Sequence, residues 1–110
     1  MVEYTPKQKD IVWINFNPTK GHEQKGKRPA LVVSNSEYNK KAGLFLACPI
    51  TKNKKGYPFE VEIKGKNIEG VVLSDQVKCM DWKKRGVAFA KKARKETFEE
   101  VKENLSLLIS

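Results

Sequence analysis

Hydrophobic and polar positions fall into short blocks, of which the first is Ile11-Val12-Trp13-Ile14-Asn15-Phe16, β-branched and aromatic and bounded by Asn17-Pro18. A run of that length with no polar face predicts a strand buried on both sides. Pro29 to Ser34 and Leu44 to Ile50 predict the second and third strands, with polar Ser36 to Gly43 between them as a turn that has room for one helical turn. Phe59 to Ile63 places Phe59, Val61 and Ile63 on one face and Glu60 and Glu62 on the other, the period of a half-exposed fourth strand. Gly65 to Asn67 turns the chain into a fifth strand, Gly70 to Leu73. Ser74-Asp75-Gln76 is a polar break before Val77 to Met80, and Asp81 to Arg85 is a turn before Val87 to Ala90.

The period changes near the C-terminus. Thr97-Phe98-Glu99-Glu100 has the form of a capping box with Thr97 as N-cap, and Phe98, Val101, Leu105 and Leu108 follow at helical spacing. A helix over Phe98 to Ile109 therefore has one apolar face to bury. Many short strands followed by one helix predict a mainly β single domain over residues 1–110: a small, strongly curved barrel with short helical turns and a C-terminal α-helix.

If the first five strands form an antiparallel meander, the connections after the first, third and fifth leave the sheet at one end. Those connections carry His22 to Arg28, Thr51 to Tyr57 and Ser74 to Gln76. A histidine, an arginine, a hydroxyl and a carboxylate would then share one rim.

Charge sharpens the choice of partner. The net charge of +9 over 110 residues favours a polyanion. A membrane is the least supported of these, because the apolar runs are far shorter than the roughly 18 residues of a span, and the first residues lack the form of a signal peptide. A cytoplasmic protein is expected. Cys48 and Cys79 lie in separate apolar segments with no CxxC or Cys/His cluster, and they read as two buried, reduced thiols. With a single histidine no metal site can be read, and no cofactor is expected.

The densest chemistry lies in Lys20-Gly21-His22-Glu23-Gln24-Lys25-Gly26-Lys27-Arg28-Pro29. Pro29 disfavours helical angles at Arg28 and holds it extended, where its fork of donors suits a phosphate. His22 is a base candidate near neutral pH, and Glu23 and Gln24 can orient a base or touch a substrate. Thr51 offers a hydroxyl to a phosphate oxygen, and Asp75 a carboxylate. Tyr57 beside Lys52, Lys54 and Lys55 combines a stacking ring with cations, as single-stranded nucleic acid requires. Each residue also has a plain structural reading: a solvated arginine, an inert loop histidine, a threonine at a strand end, an aspartate in a turn. Residues 78 to 95 add eight Lys or Arg against one Asp, a basic face beside the rim.

Several segments in order carry a specific resemblance. Asn17-Pro18-Thr19-Lys20-Gly21-His22-Glu23-Gln24-Lys25-Gly26-Lys27-Arg28-Pro29, then Cys48-Pro49-Ile50-Thr51, Lys55-Gly56-Tyr57-Pro58-Phe59-Glu60-Val61 and Ser74-Asp75-Gln76-Val77-Lys78 closely resemble the MazF/PemK family of toxin endoribonucleases from toxin–antitoxin pairs. The resemblance runs from about Lys9 to the C-terminus. It implies an SH3-like barrel, a homodimer, and metal-independent, sequence-specific cleavage of single-stranded RNA. It also implies an acidic antitoxin partner, with any DNA contact made only through the antitoxin complex. By motif position Arg28 and Thr51 look like the catalytic pair of one branch of the family, and His22 and Asp75 like the base and acid of another. That second branch carries an arginine two positions before the aspartate, where this chain has Leu73, so weight shifts to Arg28 and Thr51. Gln24, Lys20, Lys25, Lys52, Lys54, Lys55, Tyr57, Gln76 and Lys78 are the expected RNA contacts. Two other readings stay open: a non-catalytic barrel that binds nucleic acid or protein, and a toxin relative with a target other than RNA.

Overall fold

The computed structural model describes residues 4–16, 27–63 and 68–110. The strands are β1 (Asp10–Asn15), β2 (Lys27–Val32), β3 (Phe45–Thr51), β4 (Glu60–Ile63), β5 (Gly70–Leu73), β6 (Lys78–Met80) and β7 (Val87–Lys92). The helices are α1 (Ser36–Ala42), α2 (Trp82–Arg85) and α3 (Lys95–Ile109), and Ser74–Gln76 forms a 3₁₀ turn. All seven strands join one antiparallel sheet in the order β4-β5-β3-β2-β1-β7, with β6 also beside β3. The mainly β class and the C-terminal helix agree with the sequence. Among the described residues the path of this curved sheet is open, with β4 and β7 at its ends.

The meander is also corrected. β3 pairs with β5, and β4 reaches the sheet only through β5, so β4 runs in the same direction as β3. One edge of β3 is shared: Ile50 and Thr51 face Val72 and Val71 of β5, while Phe45 to Ala47 face Met80 to Lys78 of β6. Cys48 and Pro49 lie between these two registers. A proline in a central strand normally costs a ladder hydrogen bond. Pro49 avoids much of that cost by sitting where one neighbour hands over to the next, a seam inside the sheet.

Alternation along the strands gives the sheet two apolar faces. Ile11, Leu31, Cys48, Ile50, Val61, Ile63 and Val72 pack on one side with Val101 of α3 and, at its margin, Leu105. Val12, Ile14, Ala30, Val32, Phe45 and Ala47 pack on the other with Met80 and Trp82. Each valine, leucine, isoleucine, phenylalanine or methionine among them contributes about 1.5–3 kcal/mol relative to exposure. Trp82 is fixed there because its indole N–H reaches the carbonyl oxygens of Asn39 and Leu44, both at 3.2 Å. The second face is only partly roofed by α2 and the N-terminal segment. Its uncovered part is the cleft described below.

Three local expectations change. The Ser36 to Gly43 turn is a two-turn helix, because Asn35 caps it by accepting the Tyr38 N–H at 2.8 Å and Gly43 ends it in the left-handed conformation. α3 starts at Lys95, and Arg94 stands at the N-cap with no side-chain cap bond, so the expected Thr97 cap is not used. Cys79 is exposed, since in three-residue β6 it is Met80 that turns to the core.

Candidate functional site

Strand register assembles the site. Val12 pairs with Ala30 and Ile14 with Arg28 across β1 and β2, and Ala30 pairs with Pro49 across β2 and β3. Continuing that last register by two residues sets Arg28 alongside Thr51. Both therefore lie on the partly roofed face, at the end where core side chains give way to polar ones. Across β3, Thr51 faces Val71, and beyond it Leu73 faces Glu60.

A cleft of about 290 Å³ lies over this corner, lined among others by Arg28, Thr51, Lys55, Tyr57, Asp75, Gln76 and Lys78. The sequence thus placed these residues together correctly, although by a topology that the chain does not have. Asp75 arrives from the middle of β3, at the seam. Its turn is held from three sides: the Ser74 N–H donates to the Phe59 carbonyl oxygen at 3.1 Å, Asn104 Nδ2 of α3 donates to Ser74 Oγ at 3.3 Å, and Cys48 Sγ donates to the Ser74 carbonyl oxygen at 3.8 Å. Burial, and then the nearby Asp75 carboxylate, push the Cys48 thiol up to about 12.

Thr51 Oγ1 accepts the Asn53 N–H at 3.1 Å. Its own O–H proton is left to be donated to a ligand. Arg28 is exposed, and its guanidinium presents the only arginine fork among the residues that line the cleft.

Phe16, Asn53 and Glu60 also line the cleft, and the sequence did not single them out; Leu73, which stands where the second branch has an arginine, lines it too. Phe16 shares the parity of Val12 and Ile14, the signal that could have placed it on this face. Lys78 Nζ lies 5.7 Å from its ring centroid. Arg85 of α2 secures the backbone beneath, where Nη1 donates to the carbonyl oxygens of Asn15 and Phe16, both at 3.1 Å. Glu60 faces outward as expected, but outward here means into the cleft.

Lys52 and Lys54 go elsewhere. They line a second cavity of about 440 Å³ with Glu62, Glu69 and Gly70, and Lys54 Nζ pairs with Glu62 at 3.2 Å. Lys20, His22, Glu23, Gln24 and Lys25 lie outside the described residues. Among the described residues no group of three or more His, Cys, Asp or Glu side chains comes together that could hold a metal ion. No described helix is long and apolar enough to cross a membrane.

The family described as PemK-like, MazF-like toxin of type II toxin-antitoxin system matches residues 7–109. The endoribonuclease toxin MazF of Escherichia coli K12 is 43% identical over 106 residues, which cover 96% of both chains. A crystal structure of MazF from Deinococcus radiodurans superposes with a TM-score of 0.87 at 42% identity, covering 97% of this chain and 98% of that one. A chain of the MazE–MazF complex from the same organism gives 0.88 at 38% identity, with 98% of each covered.

Proposed function

Because this chain belongs to the PemK-like, MazF-like family of toxins of type II toxin–antitoxin systems, we propose that its cleft cuts single-stranded RNA, messenger RNA included, at a short sequence motif and without a metal. The observation that carries the reading is the meeting of Arg28, Thr51, Lys55, Asp75 and Lys78 around one cleft on a chain of net charge +9. Cations, a hydroxyl donor and an exposed ring are what an RNA strand needs to be held by its phosphates and stacked by a base. The relatives that match over nearly the whole chain are named endoribonucleases.

RNA carries its own nucleophile. Attack of a ribose 2′-oxygen on the adjacent phosphorus forms the O2′–P bond and expels the 5′-oxygen, leaving a 2′,3′-cyclic phosphate and a 5′-hydroxyl, with proximity replacing the activation of water. The chain must remove the 2′-OH proton, offset charge on the phosphate oxygens and protonate the leaving oxygen. Arg28 and Thr51 suit the phosphate. His22 is the first choice as base with Glu23 in reserve, and Asp75 orients or assists. Gln24, Gln76 and the lysines of the cleft hold the strand.

We further expect a homodimer held in check by an acidic antitoxin. Trp13, Leu46, Val77 and Phe89 leave apolar surface exposed on the single chain, which a second copy would cover. A MazF relative of nearly the same fold is found in complex with MazE, and a basic cleft suits an acidic segment.

One assay tests the chemistry. Purified protein is incubated with a defined single-stranded RNA and with the same strand carrying one 2′-deoxy nucleotide on the 5′ side of the cut, both in excess EDTA, and the product ends are mapped. The all-ribose strand should be cut to cyclic-phosphate ends, while the deoxy strand binds and survives. Cleavage of the deoxy strand at the same bond, or loss of activity in EDTA, would overturn the mechanism, and an intact RNA would favour the non-catalytic barrel.

A further inference from the structure

The segment that joins β3 to β4 alternates about its own path. Asn53, Lys55 and Tyr57 line the cleft, whereas Lys52 and Lys54 line the second cavity. It is the wall between the two. β4 runs in the direction of β3 with β5 between them, so this segment must return across the sheet face, and no strand pairing fixes its register there. A slip by one residue would exchange the two sets of side chains.

What holds the register is a carboxylate. Glu60 Oε1 accepts the Gly56 N–H at 2.9 Å and the Lys55 N–H at 3.2 Å, and Oε2 accepts the Lys55 N–H at 3.1 Å. Gly56 has a φ of 81°, the left-handed conformation that lets two successive N–H groups converge on one anion. Glu60 N–H in turn donates to the Tyr57 carbonyl oxygen at 3.1 Å, and the other end of the segment is tied by the Asn53 N–H on Thr51 Oγ1. On the far side, the Lys54–Glu62 pair draws its lysine away from the cleft.

We propose that Glu60 is a positioning residue of the site: its carboxylate, seated on the Lys55 and Gly56 N–H groups, fixes the register that gives Asn53, Lys55 and Tyr57 to the substrate strand and keeps Lys52 and Lys54 out. The proposal rests on the reading of the cleft as an RNA groove. A negative charge in a cation-lined cleft works against the binding of phosphate, and two charge-assisted backbone bonds explain its presence there. Glu60 touches the wall and acts on the strand through it.

The test pairs two readouts on the full chain. Amide hydrogen exchange of Lys55 and Gly56 in the free protein should speed up by about tenfold or more in Glu60→Ala and by clearly less in Glu60→Gln, whose amide oxygen in the place of Oε1 still accepts from the Gly56 and Lys55 N–H groups although the contact to Oε2 is lost. With a defined single-stranded RNA, Glu60→Ala should raise KM by about tenfold with a smaller change in kcat, and Glu60→Gln should recover most of the loss. Should Glu60→Ala fold too poorly for assay, Glu60→Asp, one methylene short of the same N–H groups, is judged by the same criteria. Unchanged exchange in the alanine variant, or equal damage in alanine and glutamine variants, would overturn the role of Glu60. A wild-type protein that cuts no RNA would overturn the reading of the groove instead, while amide exchange still decides the hold on the wall.

Discussion

Gly70 lies so close to Thr51 that a Cβ added to it would stand 2.3 Å from the Thr51 carbonyl oxygen and 2.9 Å from its carbonyl carbon. The obstacle is backbone, which cannot swing aside, and Gly70 has a φ of +134° that L side chains rarely adopt. Gly70→Ala should therefore push β5 away from the end of β3 that carries Thr51. The expected cost is about 2 kcal/mol or more, a fall of roughly 10 °C in the thermal midpoint. RNA cleavage should fall with it, because the Thr51 hydroxyl is displaced. A variant with the wild-type melting curve would show that β5 adjusts without strain.

Arg28 separates charge from shape. It stands at the exposed edge of the cleft, outside both core clusters, so Arg28→Ala should leave the melting curve nearly unchanged and abolish cleavage. Arg28→Lys should recover little, since an ammonium does not reproduce a planar fork on two phosphate oxygens. Near-wild-type turnover by the lysine variant would remove the clamp role.

The two cysteines should respond differently to a thiol reagent. Cys48 is buried with its pKa raised to about 12, whereas Cys79 is exposed. At pH 8 the native protein should take one label, on Cys79, and the denatured protein two, read by intact mass. The raised value also links to stability: the folded state holds the Cys48 proton more tightly than the unfolded chain, whose thiol has a value near 9.0. That contribution is complete below about pH 9 and is lost as pH climbs toward about 12. Two native labels at pH 8 would contradict the burial.

Arg85 is expected to matter although it does not line the cleft. Its hold on the Asn15 and Phe16 carbonyl oxygens is made by a charged donor, worth about 1.5–3 kcal/mol where buried and less at this partly buried site. Arg85→Ala should lower the thermal midpoint by a few degrees, roughly the shift that 1 kcal/mol produces in a domain of this size, and weaken RNA binding through Phe16. An unshifted midpoint would mean that water replaces the guanidinium at both carbonyls.

The sequence was most legible where periodicity is local. β1 to β5 appear within a residue or two of their predicted bounds, because β-branched runs and alternation report burial directly. The order of pairing was not legible. Nothing in Phe59 to Ile63 says that β5 will come between it and β3, since strand partners are chosen by contacts distant in sequence. Arg28, Thr51 and Asp75 still meet, because β5 runs back along β3 and ends at its middle, bringing Ser74 beside Cys48. Alternation along Phe59 to Ile63 makes Glu60 only an outward-facing residue of a half-exposed strand. Its partners are main-chain N–H groups, and backbone donors leave no trace in the identity of a residue. Cys79 and Thr97 failed for a related reason: a three-residue strand and a helix that starts before its capping box both depend on neighbours that periodicity does not see.

The seam along β3 divides the molecule by tolerance to change. Arg28 and Thr51 stand at the end of the long β1–β2–β3 ladder, whose strands supply side chains to both cores. The opposite wall hangs from β4 and β5, a hairpin that meets β3 through the register of Ile50 and Thr51 alone. The composition of residues 52–59 can therefore drift while Arg28 and Thr51 stay in place. One chassis can in this way present a different panel beside the same two residues, provided that Val61, Ile63 and Val72 of the hairpin keep their places in the core.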